Sequence, residues 1–309
     1  MSGVGSALPG HGPFRRRSAL AHRVWNSGPV LVLFLPPALV LFTALVVVPI
    51  GEAGWYSLFD WSGYGLPTNF IGWRNFSLIA RYPAFRTALA NNLLIIVVSL
   101  GIQLPMALGL ATLVSRRIRG AWTFRLIFFL PYILADVAAG LIWRFMFDGD
   151  YGLAAAIAHA LGLPAPYVLA DPDWAMYAIL LVIVWKYFGF HMMLFIAGLQ
   201  GIDAALLDAA AIDGATGMQR FLRVTLPLLL PTIRLSVFFS VIGSLQLFDM
   251  IMPLTKGGPA DSTQTLVTFL YTFGIMRMRV GFGSAVGVVL FAICVVFAFS
   301  YKRLTFRHA

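Results

Sequence analysis

The chain has 309 residues, 60% of them hydrophobic and only 11% charged, well short of the roughly 25% charge of a water-soluble domain, and that class is excluded. Its 22 Lys and Arg against 12 Asp and Glu give a formal net charge of +10, which raises nucleic acid or anionic lipid as partners until the positions of the charges are considered. A single cysteine, Cys294, excludes a disulfide framework within the chain.

Residues 1–28 are polar, glycine-rich and basic, and are expected to form a disordered tail. From residue 29 to 309 the pattern predicts one all-α, polytopic membrane helical bundle. A hydrocarbon core of about 30 Å needs about 20 apolar residues in a helix. Six stretches qualify: Pro29 to Ile50, Leu93 to Val114, Leu126 to Phe147, Trp174 to Leu199, Leu235 to Leu254 and Gly281 to Tyr301. The runs are continuous rather than alternating, so they predict helices, whose backbone groups are satisfied internally in lipid. Arg15, Arg16 and Arg17 precede the first run, as in a signal peptide, but the apolar stretch is too long and no small-residue cleavage site follows. It reads as a retained helix.

Six spans divide the basic residues between two sides. One side receives Arg15, Arg16, Arg17, Arg23, Arg116, Arg117, Arg119, Arg125, Arg220, Arg223, Arg234, Lys302, Arg303 and Arg307, fourteen in all. The other receives the seven residues Arg74, Arg81, Arg86, Arg144, Lys256, Arg277 and Arg279; Lys186 lies within a span. The bias places both termini in the cytoplasm of a cell inner-membrane protein. It also accounts for the net charge without nucleic acid, which would need a basic soluble domain. The outer segment from Gly51 to Arg86 carries Trp55, Tyr56, Trp61, Tyr64 and Trp73, which suit either a headgroup belt or a docking surface.

The connection between the fourth and fifth spans, residues 200–231, is far longer than a bare link requires. Ala204 to Ala211 favours helix, Asp203 can cap its start, and Gly214 supplies a break. A second short helix from about Ala215 to Val224 is expected to end at Pro227 and Pro231. Leu206, Leu207, Ala210, Ala211 and Phe221 make this hairpin too apolar for a solvated loop. It either rests on lipid and its own bundle or docks a partner.

Within it, Asp208-Ala209-Ala210, three residues, Gly214, nine residues, Val224-Thr225-Leu226-Pro227 resembles the EAA loop of the membrane subunits of binding-protein-dependent ABC importers. That pattern is Glu-Ala-Ala, three residues, Gly, nine residues, Ile, any residue, Leu-Pro; Asp208 for Glu and Val224 for Ile keep the chemistry. Further stretches resemble the carbohydrate branch, the maltose and glycerol-phosphate type permeases. They are Phe70-Ile71-Gly72-Trp73-Arg74-Asn75-Phe76, Leu130-Pro131-Tyr132-Ile133 with Trp143-Arg144-Phe145-Met146-Phe147, and Phe248-Asp249 through Leu254-Thr255-Lys256-Gly257-Gly258-Pro259-Ala260. The resemblance runs from Pro29 onward and is closer to the first permease of the usual pair.

The resemblance implies a six-span permease subunit forming half of the pathway of an ATP-driven importer for a sugar or related polyol. It implies a second permease, two copies of a separate ATPase that bind the ATP and magnesium, and an extracytoplasmic solute-binding protein. No Gly-x-x-x-x-Gly-Lys-Ser/Thr loop occurs in the chain, so hydrolysis is not expected here. The resemblance assigns ATPase coupling to Asp208, Ala209, Ala210, Gly214, Val224, Leu226 and Pro227. Arg220 and Arg223 suit acidic partner groups or anionic lipid equally. A gradient-driven secondary transporter is the alternative, with Asp136, Lys186 and Asp249 as a relay, but it leaves the loop unexplained.

Ionisable groups inside spans cost about 2.5–3.5 kcal/mol each and so face protein or water. Counted from the span starts above, Asp136, Lys186 and Gln246 lie about 15–18 Å deep, near the midplane. Asp136, Gly140 and Trp143 share a helical stripe, as do Gln246 and Asp249. Asp136, Trp143, Tyr187, Gln246, Phe248 and Asp249 therefore offer polar and aromatic groups for a sugar. The competing reading is an Asp136–Lys186 pair with interhelical hydrogen bonds. His191 reads as packing, and no second His lies at metal-ligand spacing.

Overall fold

The computed structural model describes residues 28–115 and 120–305. The tail, Arg116, Arg117, Arg119 and Arg307 lie outside them. The chain divides into two compact units, one up to Glu52 and one from Ala53 onward. Among the described residues five helices are long and apolar enough to cross a membrane: α1 (Leu33–Tyr56), α3 (Pro83–Val114), α7 (Ala175–Gln200), α9 (Gly217–Leu245) and α12 (Val280–Thr305). Between them lie α2 (Arg74–Arg81), α4 (Ala121–Ile133), α5 (Asp136–Met146), α6 (Leu153–Ala160), α8 (Ala204–Ile212), α10 (Ile251–Leu254) and α11 (Leu266–Ile275). Among the described residues the extended backbone pairs only as an isolated Phe59–Phe70 bridge.

The second span begins at Pro83 and not at Leu93, and two others differ more from their expected form. The third is not one helix: α4 and α5 meet at 96° and make a single span only if the bent pair is counted together. Leu134 (ψ 141°) and Ala135 (ψ 138°) are extended and turn the chain. Hydropathy alone cannot register such a break, because both residues are apolar. The fifth span begins and ends earlier than Leu235 to Leu254. Its helix runs to Leu245, and Gln246 to Met250 form a turn.

Pro227 and Pro231 do not end the hairpin's second helix, which runs on into the span as α9. Proline removes an N–H donor and its ring clashes with the carbonyl four residues back. Here a π-helical turn, Phe221–Thr225, stands immediately before Leu226-Pro227, and the Leu226 N–H donates five residues back to Phe221 O. The same device stands before Pro105, where Ser99–Gln103 is π-helical and Leu104 N–H donates to Ser99 O, and before Pro49, where Val48 N–H donates to Thr43 O. A widened turn gives each ring room and lets the helix continue.

In the larger unit α7 is the most enclosed of the spans. Ile179, Ile183, Met192 and Phe195 on it are fully buried. An aromatic cluster of Phe85, Phe269, Phe273 and Phe282 joins α3, α11 and α12, and Val241 brings α9 against it. Gly189 lets α4 lie directly on α7, since a Cβ there would stand 2.0 Å from the Phe128 carbonyl oxygen. Gly189→Val is therefore expected to force α4 and α7 apart at an overpacking cost of about 1–3 kcal/mol. Thermal unfolding of the purified protein should show a lower Tm, and an unchanged Tm contradicts this packing.

Candidate functional site

Three features of the larger unit carry chemistry: the hairpin, the break in the third span, and a cavity beside it. In the hairpin, Asp203 caps α8 by accepting from the Ala205 N–H at 2.9 Å, as its position predicts. The other end of α8 closes on Gly214 at φ 78°. The Ala215 N–H donates to Ala210 O and the Gly214 N–H to Ala211 O, both at 3.0 Å. That is the Schellman pattern, which needs a left-handed residue four positions after the carbonyl it caps. The spacing from Ala210 to Gly214 is thus a helix-stop signal, and a side chain at Gly214 costs about 1–2 kcal/mol in backbone strain. Thr216 then starts α9 with a reciprocal capping box to Gln219, a signal present in the sequence and overlooked there.

No residue of α8 is buried. Asp208 and Ala209 are exposed, Ala210 is half-buried, and Ile212 is 87% exposed. Val224 and Leu226 are half-buried at the root of α9, with Pro227 exposed beside them. The seven motif residues thus form one hairpin whose apolar side is at most half-covered by the described residues. A cavity of about 470 Å³ lies under it, lined by Leu207, Arg220 and Phe221 of the hairpin and by Thr112, Ser115 and Gln200.

At the break, Lys186 of α7 is 1% exposed and its ammonium meets Asp136 Oδ1 at 3.0 Å, the only salt bridge among the described residues. It also donates to Pro131 O at 3.1 Å, to Tyr132 O at 3.3 Å and to Leu134 O. These are carbonyls that the end of α4 leaves without helical donors, a serious cost away from water. The cation sits at the negative end of α4 and Asp136 at the positive start of α5, each where a helix dipole favours it. Tyr187 donates to the second carboxylate oxygen at 3.1 Å. The pair is buried on one side only, since Asp136 is 34% exposed.

A cavity of about 460 Å³ opens between α3, α4, α7 and α9. Tyr132 and Phe190 stack along one side, centroids 4.9 Å apart, and Phe239 meets Phe190 edge-on at 5.9 Å. Polar groups punctuate the lining. Buried Gln103 accepts from Ser99 Oγ at 3.4 Å, and His191 Nδ1 lies 2.6 Å from Ser236 Oγ. Ser240 Oγ, buried in the same lining, has no hydrogen-bond partner among the described residues.

Of the residues expected to meet a solute, Tyr187 alone lines this cavity. Asp136 is committed to the break. Trp143 packs between Phe147 and Trp185, at 5.2 and 5.3 Å. Phe248 lies edge-on to Tyr271 at 5.2 Å. Gln246 and Asp249 are exposed on the turn after α9, not on a shared helical stripe, and flank Leu247, which does line the cavity. The depth of Gln246 was counted from a start at Leu235, whereas the helix begins at Gly217 and ends at Leu245. His191 is 3% exposed and packs, but lines the cavity as well.

The turn is held by residues that sequence reasoning missed. Asn92 donates to Ser244 O at 2.6 Å and accepts from the Leu266 N–H at 2.8 Å. Asn91 donates to Ser262 O at 2.7 Å and Gln264 O at 2.9 Å, and Thr265 Oγ1 donates to Leu247 O at 2.9 Å. Two adjacent amides just ahead of the apolar run at Leu93 were the available signal; they fall inside the helix that begins at Pro83, where unpaired amides are costly. Asn92→Leu strands a buried carbonyl and a buried N–H, at about 1–3 kcal/mol each. The measured outcome should be a lower Tm together with faster proteolysis of the 246–265 segment; wild-type values for both contradict the latch.

The family model described as binding-protein-dependent transport system inner membrane component matches residues 103–308. The chain is 36% identical over 274 residues to the sulfoquinovosyl glycerol transport system permease protein SmoG of Agrobacterium fabrum, covering 88% of this chain and 89% of that one. It is 32% identical over 272 residues to the sn-glycerol-3-phosphate transport system permease protein UgpA of the same organism, covering 87% and 92%. A crystal structure of a bacterial ABC transporter involved in alginate import contains a chain with the same fold, with a TM-score of 0.80, 22% identity, and coverage of 94% of this chain and 99% of that one.

Proposed function

The chain belongs to the family of binding-protein-dependent transport system inner membrane components, and on that premise we propose that it is one of two permease subunits of an ATP-driven importer for a sugar or related polyol. It is a multi-pass membrane protein and a transport component rather than an enzyme. The single observation that supports its coupling role is α8, a capped helix with no buried residue, placed by Gly214 between two spans. An ATPase subunit that binds ATP and magnesium is the proposed cover for that face. Asp208 offers it a carboxylate, while Ala209 and Ala210 permit close approach. Val224, Leu226 and Pro227 carry the movement into α9.

The solute class rests on two supports. Relatives that handle sulfoquinovosyl glycerol and glycerol phosphate, by their names, both carry polyhydroxylated solutes. The cavity combines stacked aromatic rings, which suit the apolar face of a sugar ring, with Gln103, Ser240 and Tyr187 for hydroxyls. Gln246 and Asp249, exposed beside Leu247, are proposed as further polar groups along the path, toward the outer face that an extracytoplasmic binding protein serves. The basic-residue bias supports a hairpin facing the cytoplasm with both termini.

Co-purification and uptake together test this reading. Gly214→Asp and Asp208→Lys should leave the spans inserted but lose the ATPase from the purified complex and abolish uptake in a panel of labelled sugars and polyols. Asp208→Glu should behave as wild type. Normal ATPase retention with full uptake in Gly214→Asp contradicts the coupling role, and a wild-type complex that imports no member of the panel contradicts the solute class.

A further inference from the structure

We propose that Lys186 is a positioning residue that ties the cavity wall to the hairpin, because it locks the broken third span onto α7. The proposal rests on the permease reading above. α7 is 26 residues long, contains no proline, and ends at Gln200, four residues before the hairpin helix begins at Ala204. It is therefore a stiff rod whose end moves with the hairpin. Lys186 lies fourteen residues (200 − 186) from Gln200, about 21 Å along the rod.

At that level a single turn of α7 grips the end of α4 at several points. Lys186 holds three carbonyls and Asp136, Tyr187 holds the same carboxylate, and Phe190 stacks on Tyr132. One turn is enough to bring in Gly189, where the Phe128 carbonyl approaches too closely for any Cβ. Tyr132 is the junction: its carbonyl binds Lys186 while its ring lines the cavity. A displacement of α7 must carry that ring with it as long as the grip holds. Loosened at Lys186, the two extended residues Leu134 and Ala135 are a hinge that absorbs the displacement.

The experiment reads the cavity directly and needs no identified solute. Gly243 lines the cavity, and a Cβ there meets no atom within 4 Å, so Gly243→Cys in a Cys294→Ser background is a tolerated reporter. In the assembled transporter, its reaction with a membrane-impermeant maleimide is compared between nucleotide-free and ATP–vanadate-trapped states. The reporter chain should show a several-fold change in rate between the two states. Lys186→Met should abolish that change while the ATPase still co-purifies and traps nucleotide; Lys186→Arg should retain it in part. Should Lys186→Met fail to assemble, Lys186→Gln decides: its shorter, neutral amide cannot hold all three carbonyls, and it too should lose most of the change. A full change in Lys186→Met or Lys186→Gln, or loss of response only together with loss of the ATPase, overturns the proposal. An unresponsive reporter chain overturns instead the permease-pathway reading beneath it.

Discussion

A helix interrupted within a membrane span exposes backbone carbonyls and N–H groups that lipid cannot satisfy, and the architecture around the third span follows from how that demand is met. For the carbonyls, one fully buried ammonium supplies it. Lys186 reaches three carbonyls at the end of α4 and the carboxylate that opens α5, so a charge that is costly alone becomes the means of closing the break. Its position on the most enclosed helix is part of the same solution, because a rigid donor fixes the angle at which the two half-helices meet. Tyr132 is thereby held with its ring in the cavity, which takes its aromatic wall from this arrangement.

A second constraint is the treatment of proline. Pro49, Pro105 and Pro227 each follow a π-helical turn and the helix runs on through each; of these three only Pro227 was expected to stop one. At Pro227 this has a mechanical result. The hairpin is joined without a loop to the fifth span through α9, and through only Gly201 to Asp203 to the fourth. Movement imposed on α8 has two direct routes into the bundle.

Much of the fold was legible from hydropathy, because lipid imposes a length and a continuity that single residues seldom override. The hairpin was legible for a different reason. Asp203, Ala210 and Gly214 are local signals, and each acts through the backbone within a few residues of itself. What escaped was tertiary. The break at Leu134 and Ala135 carries no proline or glycine of its own and is fixed by a lysine over fifty residues away. The end of α9 at Leu245 is set by Asn92 and Thr265 from other elements. Misplacing that end by several residues put Gln246 and Asp249 on a stripe they do not share. Asp136 and Lys186 were correctly seen as partners in one reading, yet the carbonyls that make the pair a clamp come together only in the fold.

The central claim is that the uncovered hairpin faces a partner ATPase on the side of the membrane opposite the 148–173 segment. It is tested most directly by single cysteines at Ile212 and Tyr151, which are 87% and 96% exposed, in a Cys294→Ser background. Each is labelled with an impermeant maleimide in right-side-out and inverted membranes, with and without the ATPase. The account predicts that Ile212→Cys reacts from the cytoplasmic side only and is strongly protected when the ATPase is present, while Tyr151→Cys reacts from the other side regardless. Labelling of both from one side, or equal labelling of Ile212→Cys with and without the ATPase, contradicts it.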